Sequence, residues 1–334
     1  MPSIDLAAVE RTAHALFHPD TAPGVSLALV VVHRGQVVFE RYGALPDTIF
    51  GPGGPVDAAT VLPSWSMAKS ITHAAIGILV AEGRLQLEAP APVPSWHGTP
   101  KEAITLQHLL NMRSGLQWVE EYTLDAPSDV VEMLFGASAA DMAAFASSRP
   151  LVYAPGDVWN YSSGTSVILS RIIGDVVADR MGDGGQAGTE AFLRQRLFGP
   201  AGMTSVTPQF DGVGTFVGSS FANATALDFA RFGELYRNGG IAADGTRVLP
   251  TEWTRHASVF TAHDPDGNYD YGAHWWMWPE FPGSFSAQGY EYQRTLVVPD
   301  RELTVVFLGK TLEEGAEILR EHLRSVVRSA SNDA

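Results

Sequence analysis

The chain has no cysteine and only three lysines, Lys69, Lys101 and Lys310, among its 334 residues. The first absence excludes disulfides, a thiolate nucleophile and any thiolate metal site. Positive charge is scarce in general. With 22 Lys and Arg against 37 Asp and Glu, the formal net charge is -15, and no local basic cluster offsets it. A phosphate backbone or an anionic lipid surface would be repelled, so neither nucleic acid nor membrane is expected as a partner. Long apolar runs are missing as well: no stretch approaches the ~20 residues that span a bilayer. Met1–Asp5 show no basic segment leading into an apolar one, so the expectation is a soluble cytoplasmic protein. Absent too are a Gly-x-Ser-x-Gly elbow, which leaves a Ser/Asp/His triad unsupported, and a phosphate loop, since Gly51–Pro55 lacks the Lys-Ser/Thr ending.

What is present suits a large globular fold, with 45% hydrophobic residues. Apolar residues at Leu6, Val9, Ala13, Leu16 and Phe17 predict a docking helix that stops at His18-Pro19. His14 and His18 are spaced i, i+4, but no Glu follows His14 and no third ligand is near, so no metal is expected. Runs 24–32 and 36–42 read as an antiparallel hairpin. Residues 85–221 carry short helical patterns, at 105–111, 139–146, 166–178 and 189–197, broken by Pro and Gly. A further helix follows from Ala222, then strand-like runs at 272–277, 294–298 and 303–308 and a final helix over 313–327. The predicted architecture is therefore α/β (α+β): an antiparallel sheet flanked by helices from residues 1–84 and 222–334, with 85–221 as a mostly helical inserted lobe. Asp264–Asp270 imitates a calcium loop, yet Tyr269 and Trp275 stand where Gly and Glu are needed, so it reads as a turn.

Chemistry concentrates in Ser64-Trp65-Ser66-Met67-Ala68-Lys69-Ser70, which leads into the apolar run Ile71–Val80. Positions i and i+3 of a helix share a face, so the amine of Lys69 reaches the hydroxyl of Ser66, a poor nucleophile without such help. A lysine at the start of a buried helix is either paired or depressed in pKa, and both states suit catalysis. His73, one turn on, reads as a core histidine or a relay member. Tyr161, in the polar tip Pro155–Gly164, presents a phenol that acts as a base only beside a cation, and Lys69 would be that cation. Gly289, in Phe285–Gln293, marks a close backbone approach, for which a substrate carbonyl is one occupant. Trp275, Trp276 and Trp278 either wall an apolar acyl pocket or belong to the core.

Several motifs occur in a telling order: Ser66-x-x-Lys69, Leu109–Leu116, Pro155-Gly156 with Tyr161-Ser162-Ser163, and Asn223-Ala224-Thr225 with Asp228–Gly233. Together they resemble the β-lactamase-related serine hydrolases, most of all the branch of 6-aminohexanoate-dimer hydrolases and carboxylesterases. The resemblance spans about residues 25–309 and implies a β-lactamase/transpeptidase-like fold, no cofactor, and a small-molecule ester or amide as partner. It implies that Ser66 is acylated, that Lys69 activates it, and that Tyr161 is the general base that hands the proton to the leaving group. The backbone N–H groups of Ser66 and Tyr290 would form the oxyanion hole. Tyr122 and Asp129 fall where amide-hydrolysing members have a substrate-closing loop, and Asn223, Gln288 and Gly289 fall among the substrate contacts. Two departures separate this chain from lactam-processing members. Ser163 replaces the Asn of Tyr-x-Asn, and Ala287-Gln288-Gly289 replaces a triplet that starts with a cation. A third is Tyr292-Gln293, where the nearest branch often has Gly-Gln. A penicillin-recognising enzyme and a catalytically silent binding protein on the same fold are the alternatives.

Overall fold

A computed structural model describes residues 3–49, 51–122, 126–181, 185–265 and 268–331. The chain opens with helix α1 (Leu6–Phe17), capped by Asp5 and ended at His18, followed by strands β1 (Val25–His33) and β2 (Gln36–Tyr42). Both agree with the apolar period and the β-branched runs of the sequence. A 3-10 turn, Trp65–Met67, leads into helix α2 (Ala68–Ala81). The middle of the chain forms α3 (Leu106–Leu110), α4 (Asp129–Phe135), α5 (Met142–Ser148), α6 (Ser163–Met181) and α7 (Gln186–Leu193), the last prolonged by a π turn. Then come α8 (Ala226–Arg237), α9 (Thr251–His256), and the short strands β3 (Ala262–His263), β4 (Asp270–Tyr271) and β5 (Trp276–Met277). Strands β6 (Phe285–Gly289), β7 (Gln293–Val298) and β8 (Leu303–Lys310) precede the last helix, α10 (Ala316–Ser329).

The strands form one antiparallel sheet in the order β2-β1-β8-β7-β6-β5-β4-β3. Strand β1 is nearly apolar throughout because both its faces are covered. Leu29 and Val31 pack with Val305, Phe307 and the apolar stripes of α1 and α10, while Val30 and Val32 join Val306, Leu308 and the core beneath α2 and α8. Among the described residues no helix is long and apolar enough to cross a membrane.

Local expectations needed three adjustments. The run 272–277 is a strand only at Trp276–Met277. Gly272–Trp275 is a turn closed from Gly272 N–H to the Trp275 carbonyl at 2.9 Å, with His274 at φ 58°. The histidine is drawn inward because its ring bonds the Leu110 carbonyl at 2.8 Å and Ser166 Oγ at 2.9 Å. The helix expected from Ala222 starts at Ala226: Thr225 caps it, and Ala222–Asn223 pair as a strand with Thr207–Pro208. The last helix likewise begins at Ala316, after a 3-10 turn at Glu313–Gly315.

Candidate active site

Ser66 lies in the 3-10 turn that starts α2, where first-turn N–H groups have no helical acceptor. The turn is tethered from across the chain. Ser64 N–H donates to Asn223 Oδ1 at 3.1 Å, Ser64 Oγ donates to the Ser220 carbonyl at 3.0 Å, and Ala222 N–H donates back to Ser64 Oγ at 2.9 Å. Trp65 takes a left-handed φ of 43°, which tightens the chain just before the serine. Asn223 therefore holds this turn and does not line the cavity above it.

Lys69 is buried, and its Nζ donates to Ser66 Oγ, Ser163 Oγ and the Ser219 carbonyl, each at 2.9 Å. Burial lowers its pKa to about 8, partly opposed by the charge of Glu120. At neutral pH a usable fraction is a free amine. The Nζ sits 4.9 Å over the ring of Tyr161. Burial and then the charge of Glu120 drive the Tyr161 pKa up, while the Ser66 hydroxyl and Arg294 pull the other way. Lys69 thus faces the Tyr161 ring, and the shift runs opposite to the one that a phenolate base beside a cation would need.

A residue outside every motif joins these groups. Glu120 Oε1 accepts from Ser163 Oγ at 2.5 Å and from the Tyr122 hydroxyl at 2.9 Å, and Oε2 accepts from Ser163 N–H at 2.7 Å and Trp118 Nε1 at 2.5 Å. Trp118, Glu120 and Tyr122 alternate at i, i+2, a spacing that puts extended residues on one face and was the available signal. Burial and then Glu120 hold the Tyr122 phenol well above its ordinary pKa, although much of its ring is exposed, while the Ser66 hydroxyl pulls weakly the other way.

Above Ser66 opens a cavity of about 610 Å³, lined by Tyr122, Tyr161, Trp276, Gln288, Gly289 and Tyr290–Tyr292 among others. A Cβ on Gly289 would come within 2.5 Å of the Ser64 carbonyl and 3.1 Å of Trp65 Cβ. The close approach read from the sequence is thus to the serine turn, where a substrate carbonyl had been one candidate. Gln288 donates from Nε2 to Ser286 Oγ at 3.0 Å and adds an amide to the cavity lining. Tyr290 packs edge-on against Trp65, with ring centroids 5.6 Å apart. Glu291 and Tyr292 have φ of 55° and 66°, so the position lacking its expected glycine keeps a glycine-like path. The Arg294 guanidinium, 4.6 Å over the Tyr292 ring, braces it.

Other expected residues lie elsewhere. Asp129 is buried at the start of α4, accepting from Val119 N–H at 2.8 Å and pairing with Arg149 at 3.1 Å, so it braces the loop instead of facing substrate. Trp275 is fully buried against Phe232, Tyr236 and Phe285, and its neighbour Trp276 walls the cavity. Trp278 is also buried, donating to Ser286 Oγ at 2.9 Å. His73 bonds Tyr236 at 2.7 Å and His256 at 3.1 Å, away from Ser66, and is a core histidine. Residues 123–125 of the candidate closing loop, and 266–267 of the calcium-like turn, lie outside the described residues.

An antiparallel sheet backed by helices on both faces, with a serine and a lysine one turn apart at the head of the central helix, is the layout of the β-lactamase/transpeptidase-like fold. The chain belongs to the beta-lactamase family, whose profile matches residues 13–327. Esterase EstB of Burkholderia gladioli is 28% identical over 226 residues, covering 62% of this chain and 55% of the esterase, so the chain spans little more than half of that relative. The 6-aminohexanoate-dimer hydrolase of Paenarthrobacter ureafaciens is 25% identical over 308 residues, covering 84% of this chain and 71% of the relative. Among solved structures, a family VIII carboxylesterase matches with a TM-score of 0.70 at 14% identity, over 96% of this chain and 99% of that one. A penicillin-binding protein homologue from Pyrococcus abyssi, an octamer, matches with a TM-score of 0.70 at 18% identity, over 97% and 78%. Identities this low show the shared fold alone.

Proposed function

We propose that the protein is a serine hydrolase that cuts ester or amide bonds of small molecules through an acyl-enzyme on Ser66. The observation that carries this reading is the 2.9 Å hydrogen bond between Lys69 Nζ and Ser66 Oγ at the floor of the cavity. Lys69, as the free amine, takes the Ser66 proton while Oγ bonds the substrate carbonyl carbon. The backbone N–H groups of Ser66 and Tyr290 hold the oxyanion. The departing oxygen or nitrogen takes a proton from the Tyr161 phenol, which the proton gained by Lys69 then restores. Water attacks the acyl carbonyl by the reverse proton path, releasing the acid and Ser66. Lys69 is thereby the base in acylation, and Tyr161 keeps only that half of its implied role in which it hands a proton to the leaving group.

The cavity wall favours a neutral or cationic substrate. Glu121, Glu291, Glu313 and Glu314 line it against Arg294, whose Nη1 is held by the carbonyls of Gln293 at 2.9 Å and Gly289 at 3.3 Å. An anionic lactam meets an amide at Gln288, which supports the ester or amide reading over the antibiotic one. The test is treatment with a fluorophosphonate and with p-nitrophenyl acetate: a mass increase on Ser66 and loss of turnover in Ser66→Ala are expected. Full esterase activity in Ser66→Ala overturns the reading.

A further inference from the structure

We propose that Glu120 is a positioning residue for acylation: acting through Ser163, it sets the direction of the hydrogen bonds around Lys69 so that the amine lone pair faces Ser66. The inference rests on the serine-hydrolase reading and deepens it.

The argument is a count of hydrogens. Lys69 Nζ has three oxygen neighbours at 2.9 Å: Ser66 Oγ, Ser163 Oγ and the Ser219 carbonyl. The ammonium fills all three with its three N–H groups. The free amine has two N–H groups and one lone pair, and it is a base toward Ser66 only when the lone pair points there. The Ser219 carbonyl has no hydrogen and always takes one N–H. Ser163 has one, and if it gave that hydrogen to Lys69 the lone pair would be consumed. Its Oγ lies 2.5 Å from Glu120 Oε1, and a carboxylate only accepts. The Ser163 hydrogen is therefore committed to Glu120, Ser163 accepts the second N–H of Lys69, and the Ser66 hydroxyl is the remaining donor to the lone pair.

Glu120 is itself held so that it cannot turn away. Each of its oxygens receives two donors: Tyr122 and the Ser163 hydroxyl on Oε1, Trp118 Nε1 and Ser163 N–H on Oε2. The departure from Tyr-x-Asn also acquires a reason. A side-chain amide at position 163 would present a carbonyl oxygen to Lys69 unaided, whereas a serine does so only once another group has taken its hydrogen.

Glu120→Gln separates this role from a structural one because it keeps the shape and reverses one direction. The indole and the Ser163 backbone N–H only donate, so the glutamine oxygen must face them. Its NH₂ then faces Ser163 Oγ and the Tyr122 hydroxyl, which can turn to accept. Ser163 swings its hydrogen onto Lys69 and occupies the lone pair. The expected result is a fluorophosphonate labelling rate of Ser66 roughly 10- to 100-fold below the unmodified protein, the worth of one misdirected hydrogen bond to a charged group, with the melting temperature little changed. Adding Ser163→Ala removes the competing hydrogen, so the double variant should label at least as fast as Glu120→Gln alone.

A second readout needs no turnover. Because the chain has three lysines, ¹³C-lysine NMR resolves Lys69, and its titration midpoint should fall in Glu120→Gln, since the Glu120 charge raises it. A labelling rate within twofold of the unmodified protein together with an unmoved midpoint overturns the proposal. So does a rate loss that tracks a lower melting temperature and adds to that of Ser163→Ala. An unmodified protein in which Ser66 takes no label defeats the hydrolase reading instead, and the Lys69 midpoint then decides on Glu120 alone.

Discussion

At the scale of single residues, the proposed mechanism makes Lys69 the group that sets the working pH. Its ammonium has no lone pair for the Ser66 proton, so with the pKa at about 8 the rate should rise tenfold per pH unit below that value and level above it. A pH profile of kcat/KM with p-nitrophenyl acetate checks this. Lys69→Arg, charged at every accessible pH, should lose at least ~100-fold in kcat with the fold retained. Ser66 and Lys69 were legible because three positions along a helix define a distance without knowledge of the rest of the chain. Glu120 was not. It stands beside Glu121 in an acidic loop, and the face it shares with Trp118 and Tyr122 does not tell that this face meets Ser163. The placing of the three tryptophans was equally illegible: alternation predicts that neighbours face opposite ways, but not which face is the core.

At the scale of elements, strand β6 and the serine turn are pressed together at Gly289, where a methyl group would meet the Ser64 carbonyl at 2.5 Å. Gly289→Ala should cost about 1–3 kcal/mol in urea unfolding by overpacking. It should also lower kcat more than such a loss of stability explains, because the turn that moves carries Ser66. The turn after β4 is the second tie. His274 joins α3 and α6 through its ring, and Ser70 of α2 donates to its carbonyl at 2.8 Å. Burial lowers its folded pKa from 6.5 to about 3. Between those values the unfolded chain binds more protons, so the contribution is complete above pH 6.5 and is lost as pH falls toward 3. Melting temperatures measured from pH 7 to 4 should decline, and less steeply in His274→Asn. Helix α1 and the β1–β2 hairpin were read correctly because an apolar period, a Pro stop and β-branched runs act over a few residues. The 272–275 turn was missed because its cause is the distant carbonyl of Leu110 and hydroxyl of Ser166.

At the scale of the molecule, the net charge of -15 and the four glutamates of the cavity act on a substrate together. An ester carrying a quaternary ammonium in its acyl chain should exceed its carboxylate counterpart in kcat/KM by about tenfold or more at low ionic strength, and the ratio should shrink as salt is added. A ratio that ignores salt would place the selectivity in shape and not in charge. The sequence by itself determined the antiparallel strands near both ends of the chain, the helix that carries Ser66 and Lys69, and the shared face of those two side chains, all consequences of local period and spacing. Only the tertiary structure decided that burial lowers the Lys69 pKa to about 8, that burial raises the Tyr161 pKa, and that Ser163, 94 residues from Lys69, donates its hydroxyl hydrogen to Glu120. Desolvation and the direction of a hydrogen bond depend on which distant segments close around a group, and that packing is a property of the whole fold.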